Sequence, residues 1–168
     1  YDDVADYFYL FVSFQGLAKD GGYQIRLFRS KKVDGPYVDM NGKTFRRVNH
    51  HEPYGLKLLG NYVFPSMEYG YKSPGHNSVM KDTDGRMYVV YHQRFDIPSE
   101  IHEPRVHQLF RTTNGWLTVC PFATEGEMLC PKNYHEAEVC GTYYMIEHGQ
   151  DISKTVHSPV KVELTRDG

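Results

Sequence analysis

Short apolar or alternating runs, each closed by glycine, asparagine or aspartate, recur along the chain, so strand signals dominate its pattern. Residues 7–13 form a dense aromatic and β-branched run. After a glycine-rich turn at Asp20, Gly21 and Gly22, residues 23–29 alternate largely with period two, which predicts a hairpin. Turns follow at 34–37 and 41–43, and the polar, histidine-bearing stretch 46–54 reads as a surface loop. The same arrangement then repeats: strand 77–80, turn 82–85, strand 87–92, loop 96–104, strand 105–110, turn 113–115, strand 116–119. Four antiparallel strands in a row are what one propeller blade looks like, and residues 1–38 supply most of another. A β-sandwich built from similar meanders stays open at this point.

Beyond Pro121 the character changes. Glu125, Gly126, Pro131 and Asn133 mark a linker over residues 123–135, after which 139–146 and 160–165 begin a new β-set. This divides the chain into 1–122, 123–135 and 136–168. The last part is expected to be incomplete, because roughly 35 to 45 residues rarely sustain a core alone. An opening on Tyr1 without an initiator methionine and a turn at 167–168 add the expectation that both ends are cut.

Charge narrows the partners. Lys and Arg total 19 against 21 Asp and Glu, with the signs interspersed, which argues against nucleic acid and anionic lipid and for neutral ligands. No apolar run reaches the ~20 residues of a membrane helix. The 14 Tyr, 9 Phe and single Trp suit β-structure and also sugar-binding surfaces, with core packing the commoner use. Cys120, Cys130 and Cys140 form neither a zinc pattern nor an obvious disulfide set. Asp2, Asp3 and Asp6 read as a solvated turn, and Glu100, Glu103 and His102 as a polar loop with charge pairs.

Several motifs then stand in order: Tyr9-Leu10-Phe11-Val12-Ser13, Gly22-Tyr23-Gln24-Ile25-Arg26 with Arg29-Ser30, Asp34-Gly35-Pro36-Tyr37, Gly60-Asn61-Tyr62, Ser73-Pro74-Gly75-His76-Asn77-Ser78, Tyr91-His92-Gln93-Arg94-Phe95 and Arg105-Val106-His107-Gln108. Together they resemble the last part of the endo-1,5-α-L-arabinanases of glycoside hydrolase family 43. The resemblance runs over residues 1 to about 122, and 136–168 is similar to the start of the small C-terminal β-domain, barrel or sandwich, of longer members.

The resemblance implies an all-β fold, a partial five-bladed β-propeller comprising the end of blade four and all of blade five, in a secreted, periplasmic or cell-surface hydrolase that cuts α-1,5-arabinan with inversion. It also implies that the general acid glutamate falls just before Tyr1. None of the three family carboxylates has a counterpart here, so the isolated chain is expected to be inactive and to need the missing N-terminal blades. A non-catalytic carbohydrate-binding β-module is the alternative.

By residue type alone His76 reads as a turn histidine. The resemblance instead implies a place at the propeller axis, beside a hydrated calcium ion, with His92 as second candidate. Asn77, Ser78, Arg94 and Phe14 are the candidate substrate contacts, with the loop 15–23, Asn61 and Tyr62 as further cleft wall. Arg94 reads equally as the partner of a local carboxylate, and Tyr62 as core. His107 reads as blade packing or its rim, and His50, His51 and His102 as loop residues.

Overall fold

The computed structural model describes residues 1–46, 52–129, 132 and 134–166; the expectations for His50, His51 and Cys130 lie outside them. The described chain is all-β apart from one helical turn. Strands β1 (Phe8–Phe14), β2 (Gln24–Ser30) and β3 (Leu56–Leu59) form an antiparallel sheet in chain order. Strands β4 (Tyr71–Lys81), β5 (Met87–Phe95), β6 (His102–Arg111) and β7 (Leu117–Val119) form a four-stranded antiparallel meander. After the short helix α1 (Glu136–Val139), strands β8 (Gly141–Met145) and β9 (Val160–Leu164) pair as a third, two-stranded sheet.

Alternation along β2 explains how the first two sheets meet. Ile25 and Leu27 point one way and join Leu59, Val89, Tyr91, Leu109, Trp116 and Leu117 in the main core, so the two sheets share one hydrophobic interior. Phe28 points the other way, into a second cluster with Phe14 and Tyr54. Between them Arg26 is fully buried.

The predicted hairpin and meander are present, with three local differences. Strand β3 was not anticipated: four residues that include a lysine, set between Gly55 and Gly60, leave too short a pattern to read. Strand β4 begins at Tyr71, six residues before its predicted start, because two register shifts let the chain carry Ser73, Pro74 and Gly75 within the strand. Strand β6 begins at His102, so His102 and Glu103 belong to a strand; the expected charge pairs exist, Glu100 with Arg94 and Glu103 with Arg105.

Asp2 also departs from expectation. It is buried, and both its carboxylate oxygens accept from Arg111, at 2.6 and 2.8 Å. A two-pronged ion pair across 109 residues holds the start of the chain against β6.

The segment 146–157 supplies the contact least visible in the sequence. It runs across the first sheet as a strap. Val63 N–H donates to the His157 carbonyl, and His157 N–H to that of Asn61. Arg26 donates to the carbonyls of Gln150 and Asp151, and Lys57 Nζ donates to the Asp151 carboxylate at 2.6 Å and the His148 carbonyl at 3.0 Å.

Candidate functional site

Register places several loops at one end of the two large sheets. Phe14 pairs with Gln24, Gly75 with His92, and Arg94 with His102. The end of β1, the start of β2, the start of β4, the end of β5 and the start of β6 therefore converge, together with loops 15–23 and 96–101. Of the four non-glycine residues with left-handed φ among the described residues, three belong here: Gln15 at 68°, Ser73 at 47° and His76 at 53°. Such conformations persist only where surrounding contacts enforce them, and they concentrate at functional sites.

Those contacts come from buried polar side chains. Ser73 is fully buried; its N–H donates to Asn61 Oδ1 at 2.8 Å, and its hydroxyl reaches the carbonyls of Ala18 and Lys19. Lys72 Nζ lies 2.5 Å from the Asp20 carboxylate and 3.5 Å from that of Asp96. Lys19 donates from its N–H to Glu100 and from Nζ to the Ile97 carbonyl. Loop 15–23 of the first sheet is thus tied to loop 96–101 of the second. Each cation in this set faces a carboxylate, so the lip carries little uncompensated charge.

On this lip lie three imidazoles and one phenol. His76 is exposed, and its N–H donates to Ser13 Oγ at 3.0 Å. The Tyr23 ring stacks on His92 with centroids 5.6 Å apart, and His102 meets His92 edge-on at 5.8 Å. Burial, then the charges of Arg94, His102 and His76, hold the His92 imidazole below the usual histidine range, so it is neutral at neutral pH. Its Nε2 is buried without a hydrogen-bond partner among the described residues.

The predicted residues divide into two groups. His76 and His92 come together at this end. Asn77, half-buried, and Ser78, exposed, follow on β4 and line a cavity of about 360 Å³ with Tyr1, Tyr9 and Phe11. Two of the candidate substrate contacts are buried side chains. Phe14 is fully buried between Phe28 and Tyr54 and offers no face to a sugar. Arg94 is buried; its guanidinium donates to the Leu17 carbonyl at 2.9 Å and to Glu100, which makes it a brace of the lip. Asn61 is likewise a brace, and Tyr62 and His107 are core. The His107 ring lies 3.1 Å from the Tyr91 hydroxyl and 2.7 Å from the Cys120 carbonyl. Tyr23, read only as a strand start and part of the 15–23 loop, stands at the centre of the lip; its place just after two glycines was the available signal.

The chemistry available here is hydrogen bonding and ring stacking. Seven carboxyls have clearly shifted ionisation among the described residues, Asp2, Asp3, Asp6, Asp20, Asp84, Glu127 and Asp151, and all seven are shifted downward. A general acid needs the opposite shift. Nor do the described residues gather three or more His, Cys, Asp or Glu side chains fit to hold a metal. Calcium takes six to eight oxygens, so this donor set fits a cation only as one imidazole nitrogen beside an ion clothed in water.

The sequence signature described as "Glycosyl hydrolases family 43" matches residues 3–117. The chain is 41% identical, over 99% of its length, to the extracellular endo-α-(1→5)-L-arabinanase 2 of Bacillus subtilis, and 38% identical, over its whole length, to the extracellular endo-α-(1→5)-L-arabinanase of Thermotoga petrophila. It superposes on the crystal structure of a family 43 glycoside hydrolase from Bacillus licheniformis with a TM-score of 0.92 and 41% identity, covering 100% of this chain and 40% of that one. The chain belongs to glycosyl hydrolase family 43. It spans 38% of the length of each of these two arabinanases.

Proposed function

We propose that the chain is a portion of a secreted, arabinan-cleaving glycoside hydrolase, made of the end of one propeller blade, the whole of the next and the start of a C-terminal β-domain after a linker at 123–135. Its part is to build a wall and floor of the sugar cleft, with the reacting carboxylates on the other blades. The observation that carries this reading is the braced lip of His76, His92 and Tyr23, whose neighbouring cations Lys72 and Arg94 are each matched by a carboxylate. It suits a neutral polymer. The extracellular arabinanases to which the chain is similar support both substrate and location.

Inverting hydrolysis needs a protonated carboxyl for the leaving oxygen and a carboxylate that activates water from the opposite side. The resemblance puts the acid ahead of Tyr1 and the other carboxylates on other blades. His76 would offer one nitrogen to a hydrated calcium ion, which when bound supplies positive charge close to the reacting carboxylates. The residues of this chain orient the polymer and shape the wall.

Linear arabinan decides the matter. The purified 168-residue chain should release no arabino-oligosaccharide, and a polypeptide that joins it to the preceding blades should. In that longer protein calcium should raise the melting temperature, and His76→Ala should abolish the rise. Release by the 168 residues alone, or no release by the longer protein, overturns the proposal.

A further inference from the structure

We infer that Tyr23 is a substrate-contacting residue whose hydroxyl bonds a hydroxyl of the sugar at the lip formed by His76 and His92. The inference rests on the arabinan-cleaving role proposed above.

Three elements fix this ring. Beneath it runs Gly75, where an added Cβ would come within 2.4 Å of a ring carbon, so the bare backbone of β4 is what lets the phenol lie there. Beside it His92 stacks at an interplanar angle of 30°. The bulges on both sides of Gly75 set the height of that backbone. An aromatic ring so constrained loses little entropy when it grips a ligand.

The other end of the side chain is unpartnered among the described residues. Tyr23 is half-buried, and its hydroxyl makes no hydrogen bond among the described residues. Two core tyrosines behave differently: the Tyr62 hydroxyl donates to the Pro121 carbonyl at 2.6 Å, and that of Tyr54 to the Arg46 carbonyl at 2.8 Å. A ring needed only to cover Gly75 would serve equally well as phenylalanine. The cations nearby, Lys19, Lys72 and Arg94, are already matched by Asp20, Asp96 and Glu100, so the phenol faces a site without strong charge. A neutral polyhydroxyl ligand is the class that pairs one positioned hydroxyl with a ring edge.

The test compares Tyr23→Phe and Tyr23→Ala with wild type in the whole enzyme that carries this chain, with kinetics on linear arabino-oligosaccharides and affinity for an arabinohexaose by calorimetry. Tyr23→Phe should raise KM and weaken affinity by roughly threefold to tenfold, leaving kcat and melting temperature nearly unchanged. Tyr23→Ala should weaken binding further. Wild-type affinity and KM in Tyr23→Phe would make Tyr23 a packing residue and overturn the inference. A wild-type protein that binds but does not cleave overturns the hydrolase reading alone, and the affinities still decide on Tyr23. Absence of binding overturns both.

Discussion

Two hairpins, β1–β2 and β8–β9, share antiparallel pairing and similar length but not what covers them. In β2 six of seven residues are buried, with Ile25, Leu27 and Phe28 fully so. In β9 none is buried, and Tyr144, Met145 and Val160 are each half or more exposed. Burying one such apolar side chain is worth about 1.5–3 kcal/mol, so the first hairpin is a load of the core and the second is not. Pairing alone leaves a two-stranded ribbon marginal in water. What accompanies the second hairpin is the strap, which Arg26 and Lys57 of the first sheet hold by its carbonyls, while Ile146 packs against the main core and the His148 ring meets Tyr62 edge-on.

The sharpest way to break this contrast is at Arg26. Its guanidinium serves Gln24 within its own strand, the carbonyls of Tyr54 and Gly55, and those of Gln150 and Asp151 in the strap. Burial lowers its pKa to about 10, which still leaves it charged at neutral pH. Arg26→Met keeps the stem and strips every donor, so it should cost about 4 kcal/mol, as loss of a buried charged network does. Urea unfolding measures the cost, and proteolysis should cut first within 146–157. A loss below about 1 kcal/mol with the strap still protected would show that the carbonyls hold it by other means.

A smaller effect belongs to acidity. Burial, then the nearby charges of Lys57, His157 and Arg26, push the His148 imidazole down to about 4, against a partial counter-pull from Asp151. The unfolded chain therefore takes up its proton first. This stabilising effect is complete above about 6.5 and is lost as pH falls from there toward 4, a change on the order of 2 kcal/mol. Against the upward pull of burial, hydrogen bonds from Arg111 and Lys57 hold the Asp2 and Asp151 carboxyls below the usual range, and these pairs weaken in the same direction at lower pH. A variant is therefore needed: His148→Phe should shrink the difference in urea stability between pH 7.5 and pH 4.5. Parallel pH profiles for wild type and variant would remove His148 from the account.

The same contrast explains what could be read beforehand. Strands β4 to β7 carry their own punctuation, Asp82 to Gly85 and Asn114-Gly115, so the meander was visible in outline, the early starts of β4 and β6 excepted. The strap was not, because its anchors are backbone carbonyls, and their donors, Arg26 and Lys57, look like solvent-facing residues in an alternating pattern. Burial reverses that reading only once the neighbouring segment is known. The burial of Phe14 was hidden for the same reason: an aromatic at a strand end fits a cleft wall as well as a core, and its contact with Tyr54, forty residues away, is not written in the local pattern. Motif order pointed to His76 and His92, which the register brings to one end of the sheets, whereas the position of Tyr23 depends on contact with Gly75, which no periodicity records.

The smallest expected effect sharpens the comparison from the other side. Val160 opens β9, pairs with Met145 and is 55% exposed. Val160→Thr keeps the β-branch, so strand preference is conserved and only the apolar surface changes. With more than half of Val160 exposed among the described residues, the change should stay within about 0.5 kcal/mol, as exposed substitutions do. In β2 a comparable polar change at Leu27 would place a hydroxyl in the shared core. If Val160→Thr instead costs more than about 1 kcal/mol in a urea titration, the exposed face of the second hairpin must be covered in solution, and the loss should then depend on protein concentration.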